Sequence, residues 1–282
     1  EKDTIKVAIL QAGLVDEPER LQGLLSLGSI AYEPIWLFYK GTETEDMKRP
    51  LVEVLKGPLS IGNTGSGTHV KALQLLKING MSPNPETMLT LPEDEAIEAL
   101  KSGRIKALLL VENYESPIVQ DLLKTNGLIV ADFIRAQAYS RLLGYIEVLH
   151  VPMGGFDLAR NYPDHDIQLL STTSTLIVDE DLHPAIQMLF MEASSAIVGH
   201  ERFFGMPREF PSIKDPSIPS SDVARRYFEK GAPLLSYFAP FWIAEFIARM
   251  GLLLVPFLAF AYPLAKSIPE FLDRRARTRI QR

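Results

Sequence analysis

The chain has 282 residues, enough for one large domain or two modest ones, and its composition is ordinary for a folded protein. It contains no cysteine, which excludes disulfides, thiolate metal sites and a cysteine nucleophile. The formal charge of −6 is uneven, because residues 267–282 carry five arginines against two acidic residues. The acidic body that precedes them has no electrostatic footprint for nucleic acid, so we expect no nucleic-acid partner.

Short apolar segments alternate with helical patterns along the chain. Strands are predicted at Ile5–Leu10, Ser29–Tyr39 with an interruption at Glu33-Pro34, Pro58–Ile61, a short one in Pro83–Leu91, Ile105–Val111, Gly127–Phe133, Ile146–Pro152 and Ile167–Val178. Helices are predicted at Lys48–Leu55, after Thr68, and at Pro92–Ser102, Pro117–Lys124, Ile134–Leu143, Pro184–Val198 and Ser221–Lys230. This alternation predicts an α/β fold with a mostly parallel sheet, helices on both faces and more than one sheet.

The extended segment Ile167–Val178 is long enough to cross between two lobes. We therefore predict that residues 1–55 and 167–232 form lobe I and that residues 56–166 form lobe II. The chain would then cross twice between the lobes, and two crossings make a hinge.

The C-terminal part is apolar and then basic. Met250–Ala265 is an uncharged run of 16 residues, which can span a bilayer if the flanking basic side chains snorkel and the helix continues to Leu272. We predict an interfacial helix at 233–249, a transmembrane helix at 250–272 and a basic tail at 273–282. The arginines place the tail in the cytoplasm and the acidic body outside, so we expect residues upstream of Glu1 that carry an export signal. The alternative is a buried core helix with a basic tail.

A glycine-rich turn, Gly62–Thr68, lies between an apolar strand and a helix with Val70, Leu73 and Leu76 on one face and Gly80 at its end. Its backbone N–H groups, its small hydroxyls and the helix dipole favour an anionic group of a ligand. The alternative is a tight strand-to-helix turn with a Ser or Thr cap. The turn lacks both the Gly-Lys-Ser/Thr ending of a P-loop and the order of a dinucleotide fingerprint.

Two other strands end in polar turns, Gln11-Ala12-Gly13 and Glu112–Pro117, at positions where α/β sheets place ligands. The histidines show no metal-ligand spacing, and Asp164-His165-Asp166 is interpreted as a solvated loop. No nucleophile elbow occurs, and no carboxylate pair marks acid–base chemistry. We therefore predict a binding protein rather than an enzyme, with no catalytic residue, no metal and no cofactor.

The segment SIGNTGSGTHVKALQLLKING resembles the entry to lobe II in the TAXI-type solute receptors of TRAP transporters, which have the type 2 periplasmic-binding-protein fold. VAILQAG, GSIAYEPIWLFYKG and DLHPAIQMLFMEA agree with that family, and the apolar, arginine-rich end resembles a membrane-anchored branch. Family members begin with a strand, a glycine-rich turn, a helix and a second strand, and by this comparison that unit is missing here.

The resemblance implies a single-pass receptor of the bacterial inner membrane, with its body in the periplasm or outside. It would capture a small organic anion such as glutamate, glutamine or a dicarboxylate by hinge closure, for a TRAP permease. The ligand-binding residues carried over are Gln11, Gly13, Tyr32, Thr64, Ser66, Gly67, Thr68, Asn113 and Tyr114. Two other classes stay open: a membrane-anchored sensor or regulatory subunit with the same fold, and an enzyme.

Overall fold

The computed structural model describes residues 5–15, 18–41, 57–200 and 202–231, together with the single positions 250, 257 and 259. Its strands are β1 Val7–Gln11, β2 Leu24–Lys40, β3 Leu59–Ser60, β4 Met88–Leu89, β5 Ala107–Val111, β6 Leu128–Val130, β7 Glu147–Val151 and β8 Ile167–Asp179. Its helices are α1 Gly67–Ile78, α2 Glu93–Ser102, α3 Pro117–Lys124, α4 Ala136–Leu142, α5 Pro184–Val198 and α6 Asp222–Lys230, with a 3-10 turn at Pro18–Leu21. The predicted α/β class is confirmed.

The strands of the described residues form one sheet of eight strands, in the order β1-β8-β2-β5-β3-β4, with β6 beside β2 and β7 beside β8. The prediction of a mostly parallel sheet is wrong, since β2 and β8 are antiparallel to every neighbour they pair with. Among the described strands, parallel pairing is confined to β3 with β4 and β5, apart from an isolated parallel bridge between Ser26 and Ser220. The prediction of more than one sheet is also wrong for the described residues, because β2 and β8 are long enough to join all the other strands.

Strand β2 runs without a break through Glu33 and Pro34, so the predicted interruption there is wrong. The carbonyl of Pro34 accepts from the N–H of Glu112, which shows that the backbone groups of Pro34 point toward β5. In this antiparallel register the N–H of residue 34 would donate to the carbonyl of Glu112, and that carbonyl accepts instead from Trp36 Nε1 at 2.8 Å. The irregularities in β2 lie earlier, between Ser26 and Gly28 and between Ser29 and Ala31.

Apolar cores cover both faces of the sheet where β2 meets β5. One includes Ile35 and Leu37 with α1, and the other includes the fully buried Trp36 and Phe38 with α2 and α3. Successive residues of a strand face opposite sides, so the run from 35 to 38 serves both cores. A smaller cluster of Leu21, Ile177 and Ile218 lies at the β1 end of the sheet.

The apolar face predicted for the helix after the glycine turn is only partly correct. Leu76 is buried, but Val70 and Leu73 are intermediate, and the other buried residues of α1 are Lys71, Ala72 and Leu75. The helix therefore packs on the sheet through a face rotated from the predicted one. Its end is as predicted, because Asn79 is the C-cap and Gly80 has a positive φ of 71°.

Polar side chains fill the middle of β8. Ser171, Thr172, Thr173, Ser174 and Thr175 are five successive buried residues with hydroxyl groups. Their hydroxyls are satisfied locally: Thr172 Oγ1 donates to the carbonyl of Ala12 at 2.9 Å, and Ser29 Oγ contacts two of the other threonines. This belt separates the β1 end of the sheet from the two apolar cores near β5.

By its contacts the chain divides into two compact units, residues 1–225 and 226–282. The first contains the whole sheet, and the second is described only at the end of α6 and at three positions. The predicted segments 233–249, 250–272 and 273–282 lie outside the described residues except at those three positions, and Lys48–Leu55 lies outside them entirely. None of the helices in the described ranges is long and apolar enough to cross a membrane. The two-lobe division at residues 55 and 166 stays a prediction.

Candidate functional site

The glycine turn has the local geometry that its sequence predicts. Ser66 is the N-cap of α1, and its Oγ accepts from the N–H of His69 at 3.1 Å. Gly62 and Gly65 adopt positive φ values of 79° and 86°, which L side chains rarely tolerate. The predicted capping residue is thus confirmed, while the binding of an anion by this turn stays a prediction.

The hydroxyl of Thr68 joins α1 to the sheet. Its Oγ1 accepts from the N–H of Val111, the last residue of β5, at 3.1 Å. Both Ser66 and Thr68 accept one bond through oxygen, so each hydroxyl still has a proton to donate. Thr64 differs from them, because it is exposed on the turn.

Gln11 and Gly67, which are far apart in sequence, lie in direct contact. A Cβ added to Gly67 would lie only 2.5 Å from Gln11 Oε1. A side chain at position 67 would therefore displace the amide of Gln11. The structure brings together the polar end of β1 and the N-terminus of α1, as the prediction of one shared site requires.

Gly13 is enclosed by two residues that the sequence reasoning missed. Its φ is +66°, and an added Cβ would overlap the ring of Tyr145 at 2.5 Å. Gln74 Nε2 donates to the carbonyl of Gly13 at 2.8 Å, and Tyr145 Oη donates to Gln74 Oε1 at 2.6 Å. Gln74 follows Gly67 by seven residues, which is about two helical turns, so the two lie on the same face of α1 and the spacing could have indicated Gln74. Nothing in the sequence links Tyr145 to Gly13.

Glu33 is a further residue that the sequence reasoning missed. Its carboxylate accepts hydrogen bonds from Gln11 Nε2 and from Ser174 Oγ. It thus lies on the same side of β2 as the contact between Gln11 and Gly67. Its only sequence signal was its position beside Tyr32 in the predicted strand Ser29–Tyr39, and that position did not indicate which of the two residues faces Gln11.

The other three predicted residues lie elsewhere. Tyr32, Asn113 and Tyr114 line a small cavity of about 20 Å³, together with Glu115, Arg202, Phe204, Gly205 and Phe210. Tyr32 packs against the core that contains Trp36, whereas Glu33, the next residue of β2, contacts Gln11. Consecutive strand residues face opposite sides, so the predicted site is divided between the two faces of the sheet. We call the group formed by Gln11, Gly13, Glu33 and residues 66–68 the α1 side. We call the group formed by Tyr32, Asn113, Tyr114 and the other residues of the small cavity the ring side.

Aromatic contacts define the ring side. Tyr114 stacks on Phe203 with centroids 3.9 Å apart and meets Phe204 edge-on at 5.7 Å. Asn113 shapes the turn, because its Oδ1 accepts from the N–H of Glu115 at 2.9 Å. Arg202 adds a cation to the cavity wall, and none of the described residues provides an acceptor for its guanidinium.

A polar triad attaches the loop after α5 to β2. Tyr32 Oη donates to Glu209 Oε1 at 2.5 Å, and Lys214 Nζ donates to both, at 2.7 and 2.9 Å. Burial and then the hydrogen bond to Glu209 raise the pKa of Tyr32 to about 12, although the neighbouring Lys214 ammonium lowers this pKa in part. Burial alone would lower the pKa of Lys214, but its bonds to Tyr32 and Glu209 raise it above its usual range. Burial opposes ionisation of Glu209 too, yet its three hydrogen bonds hold its pKa below the ordinary value.

A larger open groove of about 660 Å³ lies along α1. It is lined by Val70, Leu73, Gln74, Lys77, Ile78, Leu143 and Tyr145, so it contains none of the predicted site residues. In the described ranges no group of three or more His, Cys, Asp or Glu side chains is placed to hold a metal. His165 Nδ1 contacts its neighbour Asp164 on an exposed loop.

Comparisons with known proteins give weak similarities only. No protein-family model matches the chain, and no curated protein matches it. Among solved structures, a TctC solute binding protein from Polaromonas is 18% identical, with 70% of this chain and 65% of that chain covered and a TM-score of 0.39. The aliphatic sulphonate binding protein SsuA from Escherichia coli is 16% identical, with 68% and 56% covered and a TM-score of 0.40.

A CcmR regulatory domain from Synechocystis, in complex with 2-PG, is 12% identical, with 68% and 73% covered and a TM-score of 0.40. The chain spans less than two thirds of the length of TctC and SsuA. All three TM-scores are below 0.5, so these similarities carry no argument about the site. The architecture of this chain is therefore described by its own strands and helices, as a mixed α/β fold.

Proposed function

We propose that the chain is a solute-binding receptor of the two-lobed, type 2 periplasmic-binding-protein kind, which captures a small organic anion by hinge closure. The observation that carries this proposal is the contact between Gln11 and Gly67. Two polar turns that the sequence separates by more than 50 residues meet there, and a ligand held between such turns would be contacted from both.

The hinge is assigned to the middle of β2 and β8. These strands pair with each other from Leu24 to Ile35, and the belt of buried hydroxyls in β8 interrupts the apolar packing along them. The belt lies between the apolar cluster at the β1 end of the sheet and the two cores near β5, so the proposed hinge falls between separately packed parts of the sheet. A ligand that contacts both turns would shift the balance toward the closed state by its additional contacts.

The α1 side provides donors for an anionic group. The first N–H groups of α1 have no partners within the helix, and the hydroxyls of Ser66 and Thr68 retain protons to donate. These groups are hydrogen-bond donors without a charge of their own, and together they can bind the oxygens of one carboxylate. Glutamate, glutamine and small dicarboxylates each carry such a group.

The cellular role is proposed from the sequence resemblance. In this proposal the receptor is a TAXI-type protein, anchored in the bacterial inner membrane by residues 250–272 with its body outside and its basic tail in the cytoplasm. A TRAP permease would recognise its closed form and accept the ligand. Fractionation of cells that express the chain with and without residues 233–282 tests the anchor, because loss of the segment should release the body from membranes.

Calorimetric titration of the full chain, purified in detergent, tests the binding function. We expect heat of binding with at least one of glutamate, glutamine, succinate and glutarate. Changing Ser66→Ala together with Thr68→Val should weaken binding by about 1–3 kcal/mol, because two partly buried donors are lost. The exposed Thr64→Val is the matched control and should change affinity by less than about 0.5 kcal/mol. No heat with any of these acids would contradict the proposal.

A further inference from the structure

Glu33 is a carboxylate that is held by neutral groups. It is partly buried in β2 and accepts from an amide, Gln11 Nε2, and from a hydroxyl, Ser174 Oγ. Among the residues that the structure describes, no Lys, Arg or His side chain forms an ion pair with it. A carboxylate has about four acceptor positions, so two neutral donors leave both its charge and part of its accepting capacity uncompensated.

Gln11 presents a second acceptor without a donor at the same place. Its Oε1 is enclosed and has no hydrogen-bond partner in the described part of the chain. The orientation of the amide follows from Glu33, because the reverse orientation would set the amide oxygen against a carboxylate oxygen. The unpartnered oxygen therefore faces Gly67, at the start of α1. Buried acceptors are almost always paired, so this one needs a donor.

These two acceptors adjoin the turn that is proposed to hold the ligand's anion. We propose that Glu33 and Gln11 Oε1 form a subsite for a cationic ammonium group, and that the ligand is a zwitterion with its ammonium beside its carboxylate. An ammonium has three donors and a positive charge, so it can bind Glu33 directly, and it can bind both oxygens once the Gln11 amide turns its enclosed Oε1 away from Gly67. This inference rests on the proposed function, because it assigns the second half of the same site.

The charge of Glu33 also argues against an unsubstituted dicarboxylate. Such a ligand would bring a second anion close to a carboxylate that no described cation neutralises, and like charges at short distance repel. An ordered water molecule could satisfy Gln11 Oε1, but it would leave the charge of Glu33 unchanged. Whether a ligand or a water molecule binds there, position 67 must be glycine, because a Cβ would keep the Gln11 amide away from α1.

Matched pairs of acids with and without the amine test this subsite. The full chain is titrated by calorimetry with glutamate against glutarate, glutamine against glutaramate, and leucine against 4-methylpentanoate. The subsite predicts that each amino acid that binds does so at least about tenfold more tightly than its amine-free partner, as expected for one charge-assisted hydrogen bond. The Glu33→Gln variant keeps the shape of the side chain and should reduce that ratio to about one. Glu147→Gln, a partly buried carboxylate of β7, is the matched control and should keep the ratio of the unchanged protein.

The outcomes separate this inference from the function on which it rests. Equal or tighter binding of the amine-free acids to the unchanged protein overturns the subsite and leaves the receptor function standing. A ratio that survives in folded Glu33→Gln also overturns it, with near-ultraviolet circular dichroism as the check on folding. If Glu33→Gln does not fold, the comparison of acid pairs on the unchanged protein decides alone. No heat with any acid overturns the receptor function and the subsite together.

Discussion

The α1 side and the ring side lie on opposite faces of the sheet, where Glu33 and Tyr32 are consecutive residues of β2. The two sides are built from different kinds of side chain. The α1 side consists of small residues, backbone N–H groups and an amide, with the carboxylate of Glu33 beside Gln11 and the buried ammonium of Lys71 beside Gln74. The ring side consists of stacked aromatic rings and a hydrogen-bonded triad whose charges neutralise one another. On the α1 side the buried Gln11 Oε1 has no donor among the described residues, whereas the three side chains of the triad around Tyr32 satisfy one another. A buried acceptor without a partner requires an explanation, and a ligand donor is the one proposed for Gln11.

The change at Gly13 is expected to have the largest combined effect, because it should reduce both stability and ligand binding. A Cβ in Gly13→Ala would overlap the ring of Tyr145 at 2.5 Å in a backbone with φ of +66°. We expect a loss of about 2–3 kcal/mol in the free energy of unfolding, together with loss of ligand binding. Urea unfolding measures it.

Gly144→Ala is the matched control for that change. Gly144 has no neighbour within 4 Å of an added Cβ and no positive φ, so its substitution should change stability by less than about 0.5 kcal/mol. Equal effects at positions 13 and 144 would show that the contact with Tyr145 does not form in solution.

A substitution on the ring side should change the stability of the protein and leave ligand binding unchanged. Tyr114→Ala removes a ring that stacks on Phe203 and contacts Phe204, Phe156 and Trp36. We expect about 2–4 kcal/mol of destabilisation, because a large aromatic group leaves a gap among its neighbours. Binding of glutamate, measured below the unfolding transition, should keep its affinity. A folded Tyr114→Ala protein that no longer binds would move the ligand site to the ring side.

Tyr32→Phe probes the triad with a smaller change. It removes only the hydroxyl between Glu209 and Lys214, and we expect about 1 kcal/mol of destabilisation near pH 7. Because the pKa of Tyr32 is raised from 10.0 to about 12 in the folded protein, the stability it contributes is complete below pH 10 and is lost as the pH rises toward 12.

Lys214 and Glu209 also determine the pH range over which the triad stabilises the protein. The raised pKa of Lys214 acts in the same direction as that of Tyr32, and the lowered pKa of Glu209 makes its share disappear as the pH falls below about 4.5. The stability difference between Tyr32→Phe and the unchanged protein should therefore be constant from about pH 5 to 10 and shrink above pH 10. A difference that grows above pH 10 would contradict the triad.

Local sequence signals predicted the elements well. The glycine turn, the Ser66 cap and the end of α1 at Gly80 follow from backbone preferences that act over a few residues, and the structure confirms them. The direction of strand pairing was not predictable in this way. It depends on how far β2 and β8 extend beside each other. Pro34 indicated a break, although the ladder bond that it cannot donate is replaced by the bond from Trp36 Nε1 to the carbonyl of Glu112.

The site was predictable only in part, for a related reason. Gln11 and Gly67 were carried over from the family resemblance, both lie in polar turns that the sequence pattern marks, and the fold brings these turns together. Tyr32 was chosen without knowledge of the strand register, which turns it away from Gln11 and turns Glu33 toward it. A shift of one residue in a strand exchanges its two faces, so sequence alone could not distinguish them.

The central claim is that ligand binds on the α1 side. Calorimetric titration of glutamate and glutamine into the full chain and two variants tests it most directly. In Gly67→Ala a Cβ would displace the amide of Gln11, and in Arg202→Gln the free guanidinium of the ring side is removed. We predict that Gly67→Ala weakens binding at least about tenfold, as for the loss of one charge-assisted contact, and that Arg202→Gln leaves it unchanged. Undiminished binding by Gly67→Ala, with loss of binding in Arg202→Gln, would contradict the account.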